Sequence, residues 1–182
     1  MTLTPAAGVG PRRRGKLAIN QLRERGAVDE VAIDGFLARH EAPIVEGAKC
    51  TFLFRGEADE VHVQHRIVNQ PQRVPMKRLH HTSLWWVTIE LPEGSRVEYQ
   101  ISRTVGGHTE QFNDPLNPHV AHSPVGSSSV CHAAGYLTPE WVHHDPNARP
   151  GELHTVEFHS KALRRNTATR VYLPARYRAS SA

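Results

Sequence analysis

The stretch Leu84-Trp85-Trp86-Val87-Thr88-Ile89-Glu90-Leu91 decides how this chain is read. Side chains alternate between faces along a β-strand, so Trp85, Val87, Ile89 and Leu91 share one side. Trp86, Thr88 and Glu90 share the other. β-Branched and aromatic residues dominate, and Pro92-Glu93-Gly94 follows as a turn. A period of two with one wetter face belongs to a strand of an antiparallel sheet, not to a helix.

The same period recurs on both sides of this stretch. Thr51-Phe52-Leu53-Phe54-Arg55 is rich in β-formers and stops at Gly56. Val61, Val63 and Ile67 alternate with His62, Gln64 and Arg66. Val97, Tyr99 and Ile101 alternate with Glu98 and Gln100, and Gly106-Gly107 supplies a hairpin turn before a return strand over His108 to Phe112. Asn113 to Ser127 reads as a loop and Ser128 to His132 as one more short strand. Short strands parted by frequent turns predict a mostly β fold, an antiparallel β-sandwich over residues 43–135.

The flanks read differently. Pro5, Gly8, Gly10 and Pro11 make residues 1–14 a flexible lead-in. Leu17, Leu22, Val28, Val31, Phe36 and Leu37 are spaced as one helical face, with Gly26 parting two short helices and Asp29 or Asp34 as a cap. Pro43 ends this helical stretch, so 1–42 is lead-in and short helices. Three prolines between Gly135 and Gly151 mark a linker over 136–151. Leu153 to His159 and Thr169 to Leu173 then alternate like a β-hairpin within 152–182.

Composition narrows the function classes. A chain of 182 residues holds one ordinary domain plus extensions, and 38% hydrophobic residues can fill a sandwich core. The net charge is +4, and its densest patch is Arg12-Arg13-Arg14 with Lys16, which reads as a solvated tail. There is no basic stripe with interleaved aromatics, so nucleic acid is not an expected partner. No apolar run is long enough to cross a membrane and no apolar stretch follows the arginines as in a secretory signal, so no membrane partner is expected and the expected compartment is the cytoplasm. The two cysteines, Cys50 and Cys131, suit a reducing compartment, exclude a CxxC zinc ribbon, and leave a disulfide open without implying one.

Several motifs occur in a telling order. They are Pro43-Ile44-Val45-Glu46, Thr51-Phe52-Leu53-Phe54-Arg55-Gly56, Leu84-Trp85-Trp86 with Glu90-Leu91-Pro92, Val97-Glu98-Tyr99-Gln100, and Asp114-Pro115-Leu116-Asn117-Pro118. Pro139-Glu140-Trp141 follows, then Arg170-Val171-Tyr172-Leu173-Pro174-Ala175-Arg176-Tyr177. Together, over roughly residues 43 to 177, they resemble the N-terminal domain of the enterochelin esterases and related esterases, followed by the first hairpin of the catalytic domain. The resemblance implies an early-set immunoglobulin-like sandwich, related in fold to glycogen-binding modules. It also implies an α/β hydrolase with a Ser-His-Asp/Glu triad acting on ester or ferric-siderophore substrates.

The strand carrying the nucleophile would come later than Ala182, which makes the expected role that of a non-catalytic accessory domain. Such a domain positions or covers the active site and mediates dimerisation; its partners are the esterase catalytic domain or a second copy of the chain. Two alternatives stand beside it: a stand-alone carbohydrate-binding or protein-interaction module, and one half of a split esterase.

Direct tests for chemistry give little. Acyl transfer needs a serine on a strained strand-to-helix turn, G-x-S-x-G, and the nearest string, Gly126-Ser127-Ser128-Ser129-Val130, lacks the second glycine. It reads as a loop leading into a strand, and no catalytic residue is assigned. Thirteen histidines include the pairs His62/His65, His80-His81, His119/His122 and His143-His144. Asp114, His119 and His122 form the best local trio for a metal, against the plainer reading of exposed polar histidines; no metal or cofactor is expected. Trp86 points away from Trp85 and serves either as a sugar-stacking platform or as a contact for the hydrolase domain or the N-terminal helices. Trp141 is the expected anchor of the linker on a domain surface. Asp114 and Asn117 either mark an interdomain boundary near a substrate entrance or bond nearby backbone amides and close the sandwich.

Overall fold

The computed structural model describes residues 16–143, 146–175 and 177. The readings of residues 1–14, of the Arg12-Arg13-Arg14 run, of His144, of Arg176 and of 178–182 lie outside the described residues. The chain divides into two compact units, with the boundary between Leu137 and Thr138.

The first unit carries helices α1 (Ala18–Arg23) and α2 (Glu30–Leu37). Strands β1 (Ile44–Glu46), β2 (Lys49–Arg55), β3 (Glu60–His65), β4 (Arg73–Pro75) and β5 (Lys77–Arg78) follow. Then come β6 (Leu84–Glu90), β7 (Arg96–Val105), β8 (His108–Phe112), β9 (Val120–Ser123) and β10 (Gly126–His132). One sheet has the order β1-β2-β6-β5; the other runs β4-β3-β7-β10-β9, with β8 also paired to β7. Every described pairing is antiparallel. The architecture is therefore the expected antiparallel β-sandwich preceded by a short helical segment.

Alternation along the strands builds the core. Cys50, Phe52 and Phe54 of β2 and Trp85 of β6 point between the sheets and meet Val61, Val63, Val97, Tyr99, Ile101 and Cys131 from the other side. Three contacts cross the gap from successive inward positions of β2. The ring centroids of Phe52 and Tyr99 lie 4.7 Å apart edge-on, those of Phe54 and Phe112 lie 5.8 Å apart, and the Cys50 and Cys131 sulfurs lie 3.2 Å apart.

The four-stranded sheet is covered on its outer face as well. Leu53 and Leu84 turn outward and form a second cluster with Ile19, Leu22, Ile33 and Phe36 of the two helices. A sheet buried on both faces explains why β2 reads as a near-continuous apolar run rather than a clean alternation. The cross-strand register Leu53↔Trp86 and Phe54↔Trp85 assigns the two tryptophans to opposite faces. Trp85 is buried in the inter-sheet core and its indole N–H donates to the Gly56 carbonyl at 3.1 Å.

Some expectations are corrected. Gly26 does separate two helices, and the Asp29 carboxylate caps α2 by accepting from the Ala32 amide at 2.8 Å. Asp34 instead pairs with Arg55. Val31 is 76% exposed, while Ile33 and Phe36, three apart and hence on one helix face, are buried. The segment Asn113–Ser127 contains strand β9, and β10 begins at Gly126 rather than at Ser128. The strands β1, β4, β5 and β9 have two to four residues each, too few for alternation to declare itself.

The second unit holds a 3-10 turn at Glu140–Val142 and a hairpin of β11 (Glu152–Ser160) and β12 (Arg165–Leu173). Their register runs from Glu152↔Leu173 to Ser160↔Arg165 without a bulge. Val156, Phe158, Val171 and Leu173 fall on one face of this hairpin by parity. No helix among the described residues is long and apolar enough to cross a membrane.

Candidate functional site

The Asp114–Pro118 loop leaves β8 and turns back across the end of the inter-sheet core. Asp114 and Asn117 are 2% and 5% exposed. The Tyr99 hydroxyl donates to Asp114 Oδ2 at 2.6 Å and accepts from Asn117 Nδ2 at 3.0 Å. Asp114 Oδ1 accepts from the Leu116 amide at 2.9 Å, and the Asp114 amide donates to Ser129 Oγ at 2.8 Å. Asn117 Nδ2 also donates to the Val130 carbonyl at 2.8 Å, and its Oδ1 accepts from the His119 amide at 2.9 Å. Every polar side-chain atom of the two residues is used inside the sandwich, as buried polar groups require. Their side chains tie the loop to β7 and β10.

Burial sets the electrostatics of this network. Desolvation raises the Asp114 carboxyl above its ordinary range, opposed by the Tyr99 and Leu116 hydrogen bonds. Desolvation and the adjacent Asp114 charge push the Tyr99 phenol up, so it remains a donor.

Trp86 sits half-buried on the outer face of β6 against the helix cluster. The Arg23 guanidinium lies 4.7 Å from its ring centroid and the Lys77 ammonium 6.0 Å. The chain's own α1 thus occupies the indole face with a cation, a favourable contact with the ring quadrupole. His119 is exposed and its Nε2 meets Glu41 Oε1 at 3.1 Å. His122 is exposed on β9. Asp114, His119 and His122 therefore do not converge, and no group of three or more His, Cys, Asp or Glu among the described residues could hold a metal ion. Trp141, in the 3-10 turn of the second unit, is 85% exposed.

Two serines of the 127–129 run bond within the sandwich. Ser129 is fully buried, with Oγ accepting from the Asp114 amide, and Ser127 Oγ accepts from Asn113 Nδ2 at 2.8 Å. Both lie within β10, on an extended backbone and not on a strand-to-helix turn.

Two features were not read from the sequence. Glu30 of α2 accepts from the Ser83 amide at 2.8 Å, from Ser83 Oγ at 2.7 Å and from Arg55 at 2.9 Å, tying the helix to the start of β6. A concave surface of about 900 Å³ lies over the polar face of the six-stranded sheet, lined by Gln64, Arg66, Arg73, Arg96, Glu98 and Gln100 among others. Arg96 there is paired with Glu98 at 2.8 Å. Alternating polar positions on β3 and β7 signalled this wet face, but its curvature is a property of the folded sheet.

The fold defines a class first: an antiparallel sandwich with helices on one sheet and a separate hairpin. Among solved structures, the ferric enterobactin esterase of Salmonella typhimurium superposes on it with a TM-score of 0.52 and 20% identity, covering 68% of this chain and 40% of that one. The enterobactin esterase of Shigella flexneri, solved with enterobactin, superposes at a TM-score of 0.48 with 21% identity, over 68% of this chain and 38% of that one. The chain spans about 40% of the length of the Salmonella esterase. The likeness to the Salmonella structure, at 20% identity, shows a shared fold. No protein-family model matches the chain, and no curated protein matches it.

Proposed function

We propose that this chain is the accessory, non-catalytic portion of an esterase of the enterochelin-esterase type, an early-set immunoglobulin-like sandwich that positions or covers the active site of a hydrolase domain. The observation that carries the reading is the shared fold with the Salmonella ferric enterobactin esterase over 68% of the chain. The order of the five sandwich motifs from Pro43 to Pro118 and of the Arg170–Tyr177 element supports it independently.

The hairpin supports it as well. A lone two-stranded hairpin is marginal in water, and unpaired strand edges recruit further strands. Among the described residues β11 and β12 pair only with each other, and Phe158 and Val156 are about half exposed on one face. A larger sheet that accepts this hairpin would bury both, and a catalytic α/β domain provides one.

The test has two arms. The purified chain is assayed for p-nitrophenyl ester hydrolysis with and without a serine-reactive inhibitor; no inhibitor-sensitive turnover is expected, and its appearance overturns the non-catalytic role. The source DNA beyond codon 182 is then read for a G-x-S-x-G strand. An in-frame or one-base-shifted match supports the accessory reading; a clean stop followed by an unrelated gene favours a stand-alone module.

A further inference from the structure

Cys50 lies on β2 of the four-stranded sheet and Cys131 on β10 of the six-stranded sheet. They are 81 positions apart, yet their sulfurs approach to 3.2 Å. Their exposures are 0% and 2%, and both are free thiols. The approach is fixed from the sides. Phe52, the next inward residue of β2, packs edge-on against Tyr99, and Cys131 is paired in register with Val97, the next inward residue of β7. The two side chains therefore enter the gap from facing strands within one well-packed layer.

We propose that Cys50 and Cys131 are a covalent modification site, closing to an intramolecular disulfide that joins the two sheets when the chain meets a low-molecular-weight disulfide such as oxidised glutathione. One of the two thiolates attacks one sulfur of glutathione disulfide, forming a mixed disulfide and releasing one glutathione thiolate. The other thiolate then attacks the protein sulfur of that mixed disulfide, forming the Cys50–Cys131 bridge and releasing the second. The protein loses two protons and two electrons, and one glutathione disulfide becomes two glutathiones. The two sulfurs lie in contact, so either thiolate can open the sequence and the other complete it.

The placement gives the bridge a consequence. The closed loop runs from β2 to β10 and so contains most of the sandwich; cross-linking its ends restricts the unfolded chain far more than a local bridge would. Core burial shields the folded thiols, so closure accompanies folding or transient opening of the sheets. In a reducing compartment the pair stays as dithiol, and under oxidising conditions it closes.

The test uses the full chain, unfolded under reducing conditions and refolded in a glutathione redox buffer. Intact mass is expected to fall by two hydrogens, thiol titration in denaturant to fall from two thiols to none, and peptide mapping to join Cys50 to Cys131. The oxidised chain should melt about 10 °C above the reduced one, and dithiothreitol should reverse the gain. Cys131→Ala should remove the gain and leave one thiol that takes up glutathione. The reversal by dithiothreitol needs no variant, so the result stands even if Cys131→Ala folds poorly. Two titratable thiols after oxidative refolding, or bridges found only between chains, overturn the proposal.

Discussion

Tyr99 donates its hydroxyl proton to Asp114 across 2.6 Å, and both side chains are shut away from water. Tyr99 stands on the central strand of the six-stranded sheet, and Asp114 on the loop that follows the hairpin. The bond ties a connection to the core, and Asn117 completes it by donating to the same hydroxyl. Tyr99→Phe strips Asp114 Oδ2 of its donor and leaves Asn117 with a partner missing. A loss of about 1–3 kcal/mol is expected, read from urea unfolding midpoints at constant slope.

The same carboxyl gives the chain a pH signature. Burial holds the Asp114 group above its ordinary value of 3.8, so the native state favours its protonated form. The stability it contributes is complete below the unfolded value and is lost as pH rises through the native one. Asp114→Asn lacks this term. The stability difference between wild type and Asp114→Asn should therefore shrink as pH rises above 3.8, followed by urea midpoints across the acid to neutral range.

Glu30 carries the opposite sign. Hydrogen bonds from Ser83, foremost, and Arg55 hold its carboxyl below the ordinary value of 4.5. Its contribution is present above that value and lost as pH falls through the lowered native one. Melting curves of wild type and Glu30→Gln should diverge near neutrality and converge in acid. Curves that keep a constant separation would remove Glu30 as the source.

The helix layer is held by packing. Ile33 is fully buried between α2 and the outer face of the four-stranded sheet. Ile33→Ala should cost about 2–5 kcal/mol, and native-state hydrogen exchange should show α1 and α2 losing protection before β7 does.

The α2 cap is a smaller, separable effect. Asp29→Ala frees the Ala32 amide and should cost about 0.5–2 kcal/mol, with the loss of exchange protection confined to the first turn of α2.

The strands that the sequence declared are the long ones. Leu84–Glu90 and Arg96–Val105 show their faces because alternation is a local property, repeated over enough residues to stand out. β9 stayed hidden inside a loop because four residues at a sheet edge carry no such repeat. The Asp114–Pro118 loop was legible as chemistry, two amide-bonding side chains and two prolines, but the particular groups that the loop bonds, Tyr99, Ser129 and Val130, lie on other strands.

The sequence by itself determined the sandwich, the split of Trp85 and Trp86 between faces, and the two short helices, since each follows from the period of one segment. Tertiary structure alone decided which groups meet. Tyr99 and Asp114, Glu30 and Ser83, and Cys50 and Cys131 are separated by 15, 53 and 81 positions. No local pattern encodes such pairs, because their partners are chosen by how two sheets and a helix layer stack. That stacking turned Asp114 inward, covered Trp86 with Arg23, and brought two thiols into contact.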